Sequence, residues 1–141
     1  MKNRKLYLFL SMCIIVLTIS LLVTSSSVLL SKVWGIPFGN LLTWAGIVSI
    51  PTSIYFALPG MGKSKWFGRG IKLLILLAVL WFPIACLLSG NLSNTFTGEN
   101  LFLGVVPAST IFWVFTYGLP IASLAILLLF LIVRNSRKSK N

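Results

Sequence analysis

Long stretches without a single charged residue constrain this chain more than any other feature. Lys32, the basic segment Lys63–Lys72 and Glu99 separate four such windows, which are Leu6–Ser31, Val33–Gly62, Leu73–Gly98 and Asn100–Val133. An α-helix needs about 20 apolar residues to cross the ~30 Å hydrocarbon core of a bilayer. Each window has room for one crossing and does not comfortably hold two. The sequence therefore predicts an integral membrane protein with four spans.

Composition agrees with this interpretation. Hydrophobic residues make up 57% of the chain and charged residues 9%, whereas a soluble domain carries about 25% charged residues. Helices are the default because an open sheet cannot satisfy its backbone hydrogen bonds in lipid. We predict an all-α, four-helix transmembrane bundle that forms a single domain over residues 1–141. The predicted spans are Leu6–Val28, Asn40–Leu58, Ile71–Leu88 and Ala108–Val133, and Leu101–Val106 is expected to be interfacial or re-entrant.

The basic residues predict the orientation of the bundle. They form three groups, which are Lys2, Arg4 and Lys5, then Lys63, Lys65, Arg69 and Lys72, then Arg134, Arg137, Lys138 and Lys140. With four spans the three groups fall on one side of the membrane, and of the 12 basic residues only Lys32 does not. Short loops rich in Lys and Arg stay cytoplasmic. Both termini are therefore predicted to be cytoplasmic, in the cell membrane, with the bacterial inner membrane as the expected location.

The second and third basic groups are also expected to contact anionic lipid headgroups, because basic residues beside a membrane are attracted to anionic lipids. A cleaved signal peptide is the alternative for span one, since a basic start precedes an apolar run and small residues follow at Thr24–Ser27. The apolar run from Leu6 to Val23 is longer than the usual 7–15 residues of a signal peptide. The length favours a retained span.

The residue types exclude most catalytic chemistry. The chain has no His, and Glu99 is its one acidic residue. General acid–base catalysis needs His, paired carboxylates or a tuned Lys. Triads of Ser, His and Asp are impossible here, and zinc or calcium sites lack ligands. We predict no catalytic residue, no metal site and no cofactor, and hence a protein that is not an enzyme.

The segment Ala57–Ser64 resembles a relaxed phosphate-binding loop in its spacing of Gly62, Lys63 and Ser64. A working loop of that kind follows a strand and has an acidic residue nearby for magnesium. Here a predicted span precedes the segment, and Glu99 is predicted across the membrane. We interpret the segment as a tight cytoplasmic turn. Topology also explains the net charge of +11, so no nucleic-acid partner is predicted.

Small residues recur on one face of each predicted span, at steps of three, four or seven. The stripes are Ser11, Thr18 and Ser25 in span one, Gly46, Ser49, Ser53 and Ala57 in span two, Ala78, Ala85 and Ser89 in span three, and Ser109, Thr116 and Ser123 in span four. Small residues let helix backbones approach closely, and hydroxyls bond between helices. We interpret the stripes as helix-packing faces. The sharper hypothesis is that one stripe docks a partner or lines a narrow path.

These features predict a small polytopic membrane protein that acts through helix–helix contacts, as an accessory, regulatory or immunity-type protein. Its partners would be the lipid bilayer and either another membrane protein or further copies of itself. The alternative is a passive channel or small-solute carrier. Hydroxyls within the spans and the prolines Pro51, Pro83 and Pro120 suggest that alternative.

Overall fold

The structure is a computed structural model that describes the backbone of residues 2–89 and 106–138 and the side chains of residues 4–88 and 108–136. Helices dominate these ranges, which confirms the predicted all-α class. The elements are α1 (Lys2–Val23), a 3₁₀ turn (Ser27–Leu30), β1 (Lys32–Val33), β2 (Ile36–Pro37), α2 (Phe38–Ala57), α3 (Pro59–Lys63), α4 (Lys65–Ser89) and α5 (Val106–Lys138). Glu99 and all of the predicted interfacial segment except Val106 lie outside the described residues.

Helix α1 ends at Val23, five residues before the predicted end of span one at Val28. Ser25 adopts a left-handed backbone with a φ of 46°. The Ser26 amide donates to the Leu21 carbonyl and the Ser25 amide donates to the Leu22 carbonyl, which is the pattern of a Schellman motif. This motif stops the helix, so Ser25 lies beyond it and is exposed.

A two-residue hairpin links α1 to α2. Lys32 pairs with Pro37 and Val33 pairs with Ile36 in an antiparallel register. The turn residues Trp34 and Gly35 have φ values of 53° and 81°, as a type I′ turn requires. The hairpin reverses the chain, so that α2 returns alongside α1.

Helix α2 is the centre of the described structure. It packs against α1, α4 and α5, and nearly half of its residues are buried. Its less apolar positions, such as Asn40, Ser49 and Ser53, are among those buried residues. Neighbouring helices therefore cover α2, whereas α1 leaves most of its apolar side chains exposed.

Among the described residues, three helices are long and apolar enough to cross a membrane, over Arg4–Val23, Lys65–Leu88 and Ala108–Ser136. This identifies the chain as a membrane protein. The second of these helices, α4, corresponds to predicted span three and begins at Lys65 rather than at the predicted Ile71, because helical hydrogen bonding continues through the basic segment. Helix α2 also has 20 residues, but its mean hydropathy falls short of that of these three, and it carries three of the seven buried polar side chains in the described residues, Asn40, Ser49 and Ser53.

Side-chain contacts identify which helix ends lie together. Arg4, at the start of α1, donates a hydrogen bond to the carbonyl of Phe56 at the end of α2. Phe67, near the start of α4, lies with its ring centroid 5.4 Å from that of Phe130, near the end of α5. Short α3 connects the end of α2 to the start of α4. The basic segments before Leu6, around Lys63 and after Val133 therefore gather at one end of the molecule.

Candidate functional site

The small-residue stripe of α2 faces α1 over much of its length. Gly46, Ser49 and Ser53 are buried, whereas Ala57, one turn further along, is exposed. Ser53 donates a hydrogen bond from its Oγ to the Ser11 Oγ at 2.8 Å. Ser11 in turn donates to carbonyls of its own helix. This pair of hydroxyls joins α1 and α2 in the half of the molecule that carries the basic segments.

Gly46 permits a close approach between α1 and α2. A Cβ placed on Gly46 would lie 2.8 Å from Thr18 Cγ2 and 2.9 Å from Thr18 Oγ1. Thr18 is held in place because its Oγ1 donates to the Ile14 carbonyl at 2.8 Å and to the Leu42 carbonyl at 3.3 Å. Glycine is therefore the residue that fits here, and the two backbones meet at this level.

The stripes of α4 and α5 also face the interior. Ala78, Ala85, Thr116 and Ser123 are buried, and Ser109 is half-buried. The side chain of Ser89 lies outside the described residues. The Thr116 Oγ1 accepts a hydrogen bond of 2.9 Å from the indole Nε1 of Trp81, and Ser123 bonds back to its own helix. The hydroxyls of Thr116 and Ser123 are thus held within the protein.

Indole groups provide polar links that the sequence did not reveal. Trp44 and Trp81 stand out in the sequence only as bulky side chains inside predicted spans. In the structure the Trp44 Nε1 donates to the Ala78 and Val79 carbonyls of α4, at 3.2 and 3.1 Å. Trp44 therefore joins α2 to α4, as Trp81 joins α4 to α5.

An apolar groove, which we call the lateral groove, opens between α1 and α5 with α2 as its floor. Its volume is about 170 Å³. Ile15, Ile19 and Leu22 form one wall, Tyr117 and Pro120 the other, and Ile47 and Ile50 lie on the floor. Thr18, Thr43, Gly46 and Thr116 complete the lining, but the accessible surface of the groove is apolar. The groove has room for an apolar group that inserts from outside.

The predicted lipid-contact residues are distributed as follows. Lys63, Lys65, Arg69, Lys72 and Arg134 are all exposed. Arg137 and Lys138 belong to α5, but their side chains lie outside the described residues, as does all of Lys140. Arg4 differs from these exposed cations because it is half-buried and bonded to the end of α2.

The structure explains why the segment Ala57–Ser64 resembles a phosphate-binding loop in its sequence. Helix α2 precedes it and the five-residue helix α3 lies within it, so no strand leads into it. A Cβ on Gly68 would lie 2.7 Å from the carbonyl oxygen of Gly62, and Met61 is fully buried. The close approach of Gly68 to Gly62 therefore forms a tight join between α3 and α4.

The described residues bring together no group of three or more metal-binding side chains. Cys13 and Cys86 are not disulfide-bonded. No family model matches this sequence, and comparisons with curated proteins and with solved structures return no match. Function must therefore be inferred from the geometry of the helices and from the distribution of their polar groups.

Proposed function

We propose that this chain is a multi-pass protein of the cell membrane, with the bacterial inner membrane as the expected location. All four long helices would cross the bilayer as one bundle. The gathering of the basic segments at one end supports a cytoplasmic position for both termini, because short basic segments remain cytoplasmic. The hairpin with Lys32 and Trp34 would then face the opposite side.

Helix α2 is proposed as the fourth span although its mean hydropathy falls short of that of the other three. At 20 residues it is about 30 Å long, which matches the hydrocarbon core. Its polar side chains face α1, α4 and α5 rather than lipid, and polar groups within a membrane are tolerated where they face neighbouring helices. Neighbouring helices thus shield the polar side chains of α2 from lipid, so α2 can cross the membrane with a lower hydropathy than the other three helices.

The proposed activity is that of an accessory, regulatory or immunity-type protein that binds another membrane protein through helix contacts, with no catalytic step of its own. The lateral groove carries this proposal. A cavity of about 150 Å³ is large enough for benzene, so the groove, at about 170 Å³, has room for one bulky apolar side chain. We infer that a partner helix inserts such a side chain between Ile19 and Tyr117.

A passive channel is the weaker alternative. It would need the span hydroxyls to line an open path. In the described residues Thr18, Ser53 and Thr116 instead bond within the protein, and the lateral groove has apolar walls. These contacts favour helix–helix association over solute passage.

Site-specific photocrosslinking in native membranes tests the partner proposal. A photoreactive residue would replace Ile19, a groove residue that is 56% exposed, or Leu76, which lies on the outer face of α4 and is 55% exposed. We expect a discrete adduct with a membrane polypeptide from position 19 only. Ile50→Trp, which fills the groove floor, should abolish the adduct. Equal adducts from both positions, or adducts with lipid alone, would contradict the proposal.

An adduct of twice the mass of the chain would identify the partner as a second copy. Reporter fusions test the topology separately. A fusion after Gly35 should report the outer side, and fusions after Lys63 and after Lys138 should report the cytoplasm. Opposite locations for the last two would refute the four-span arrangement.

A further inference from the structure

The join between α3 and α4 presents cations on a defined surface. We define the cationic elbow as Lys63, Lys65, Trp66, Arg69 and Lys72, all of which are exposed. Lys65, Arg69 and Lys72 are spaced at i, i+4 and i+7 on α4, so they share one helix face. Trp66 lies beside them and is 85% exposed.

The same face of α4 changes character abruptly after Lys72. The next exposed positions along it are Leu73, Leu76 and Leu80. A face that passes from cations and an exposed Trp to exposed leucines matches the boundary between lipid headgroups and acyl chains, where Trp and basic residues concentrate. The elbow therefore lies at headgroup level if α4 crosses the membrane, which is the part of the proposed function on which this inference rests.

The backbone under the elbow is held firmly. Met61 is fully buried, the Ser64 amide donates to the Met61 carbonyl, and the Gly68 amide donates to the Ser64 carbonyl at 2.8 Å. The close contact between Gly68 and the Gly62 carbonyl leaves little room for rearrangement. The cations are thus presented by an ordered surface and not by a long flexible loop.

Nothing in the described part of the chain can neutralise these charges. The sequence holds 12 basic residues and one acidic residue, and Glu99 is not among the described residues. The contact between Phe67 and Phe130 brings the end of α5 close, and exposed Arg134 follows Phe130 by one turn. Any fixed counter-charge therefore comes from outside the described chain, and anionic headgroups of the adjacent leaflet would supply it if α4 crosses the membrane.

We propose that the cationic elbow binds the headgroups of anionic phospholipids, with the phosphate between Lys65, Arg69 and Lys72 and with Trp66 at the interface. This is narrower than attraction of every basic residue to the membrane. Arg4 is excluded because it bonds to the Phe56 carbonyl, and Lys32 lies at the other end of the molecule.

The test uses the purified full chain in phosphatidylcholine vesicles that contain a minor fraction of spin-labelled phosphatidylglycerol. The measured quantity is the association of the anionic lipid relative to labelled phosphatidylcholine. Loss of one charge should weaken that preference about five-fold, and the triple variant K65Q/R69Q/K72Q about a hundred-fold. K32Q is the matched control, an exposed cation outside the elbow, and should leave the preference unchanged.

Several outcomes would overturn the inference. The triple variant could keep the preference of the original chain, or K32Q could weaken it as strongly as R69Q. Inorganic phosphate at matched ionic strength could displace the lipid, which would identify a site for free phosphate. Tighter binding of a short RNA or an acidic peptide would assign the surface to a different partner.

Thermal unfolding in phosphatidylcholine alone shows whether the triple variant is folded, and R69K, which keeps the charge, provides a second check. Because no partner protein is present, failure of the crosslinking experiment leaves this result unaffected. Failure of the lipid preference likewise leaves the partner proposal standing.

Discussion

The seam between α1 and α2 and the seam between α4 and α5 are built in different ways. Small residues hold the first, where Gly46 admits Thr18 and the hydroxyls of Ser11 and Ser53 meet. Aromatic rings hold the second, where Trp81 packs near Phe112 with ring centroids 6.0 Å apart. Phe67 contacts Phe130 in the same seam, edge to face.

This difference illustrates how helices associate in lipid. Acyl chains are as apolar as Leu side chains, so burial alone does not favour contact between helices. Close backbone approach supplies dispersion contacts in the first seam, and interlocking rings supply them in the second. A substitution in the ring seam removes many contacts at once, whereas one in the small-residue seam acts by separating two backbones.

The largest effect is expected for Trp81→Ala. Trp81 is 2% exposed, and its indole donates to Thr116, so truncation leaves a cavity and removes a hydrogen bond. We expect a loss of about 3 kcal/mol in the free energy of unfolding, measured by SDS titration in mixed micelles. Trp66→Ala is the control for an exposed Trp and should change this free energy by less than about 0.5 kcal/mol. Equal losses would show that α4 and α5 do not pack through Trp81.

The next effect is expected at the close contact between Gly46 and Thr18 in the other seam. Gly46→Ala places a Cβ within 3 Å of Thr18, and the hydrogen bonds of Thr18 hinder its movement. The helices must separate, at a cost of about 2 kcal/mol in the same titration. Gly118→Ala is the matched control in α5, because a Cβ there meets no atom within 4 Å. An equal response of the two glycines would contradict the close approach of α1 and α2.

A substitution at Gly46 therefore tests folding before it tests partner binding. Gly46 and Ser53 are obvious choices in the sequence for disrupting a partner face. In the structure both are buried between helices of the same chain, so loss of a partner after Gly46→Leu would be ambiguous. Positions in the lateral groove, such as Ile19 and Ile50, separate the two effects.

The sequence predicts the helices well because hydrocarbon excludes charge, and the windows without charge mark the segments that can cross it. It predicts the end of α1 less well. The hydroxyl-rich run after Val23 signals a break, but the Schellman motif depends on which of its residues becomes left-handed. The small-residue stripes predict which face of each helix packs against another helix. They do not predict which helix that face contacts.

The sequence does not predict the contacts between helices for the same reason. In the sequence, Arg4 is one of the basic residues that predict the orientation of the chain. The fold places its side chain at the end of α2. The groove depends on α1 and α5 flanking α2, and the elbow depends on Gly68 meeting Gly62. Each of these features joins residues from different elements. The spacing of residues within a single helix therefore cannot predict them.

Arg4 provides a smaller test of the α1–α2 seam at its basic end. Its guanidinium donates to a carbonyl at the C-terminus of α2, where a positive charge also interacts favourably with the helix dipole. Arg4→Gln should lower the free energy of unfolding by about 1 kcal/mol. Lys5→Gln removes a neighbouring exposed charge and should have no measurable effect. Equal effects would indicate that Arg4 acts only as a charge beside the membrane.

The smallest effect is expected for the pair of hydroxyls in the small-residue seam. A double-mutant cycle with Ser11→Ala and Ser53→Ala isolates their coupling, which we expect to be about 0.6 kcal/mol, the average for hydrogen bonds between membrane helices. The coupling is small because neither hydroxyl depends on the other alone. Ser11 also donates to the Tyr7 and Leu8 carbonyls, and Ser53 has carbonyls of its own helix within reach when its partner is removed. A coupling of zero would leave Gly46 and Thr18 as the contact that holds α1 on α2, and would sharpen the contrast with the ring seam.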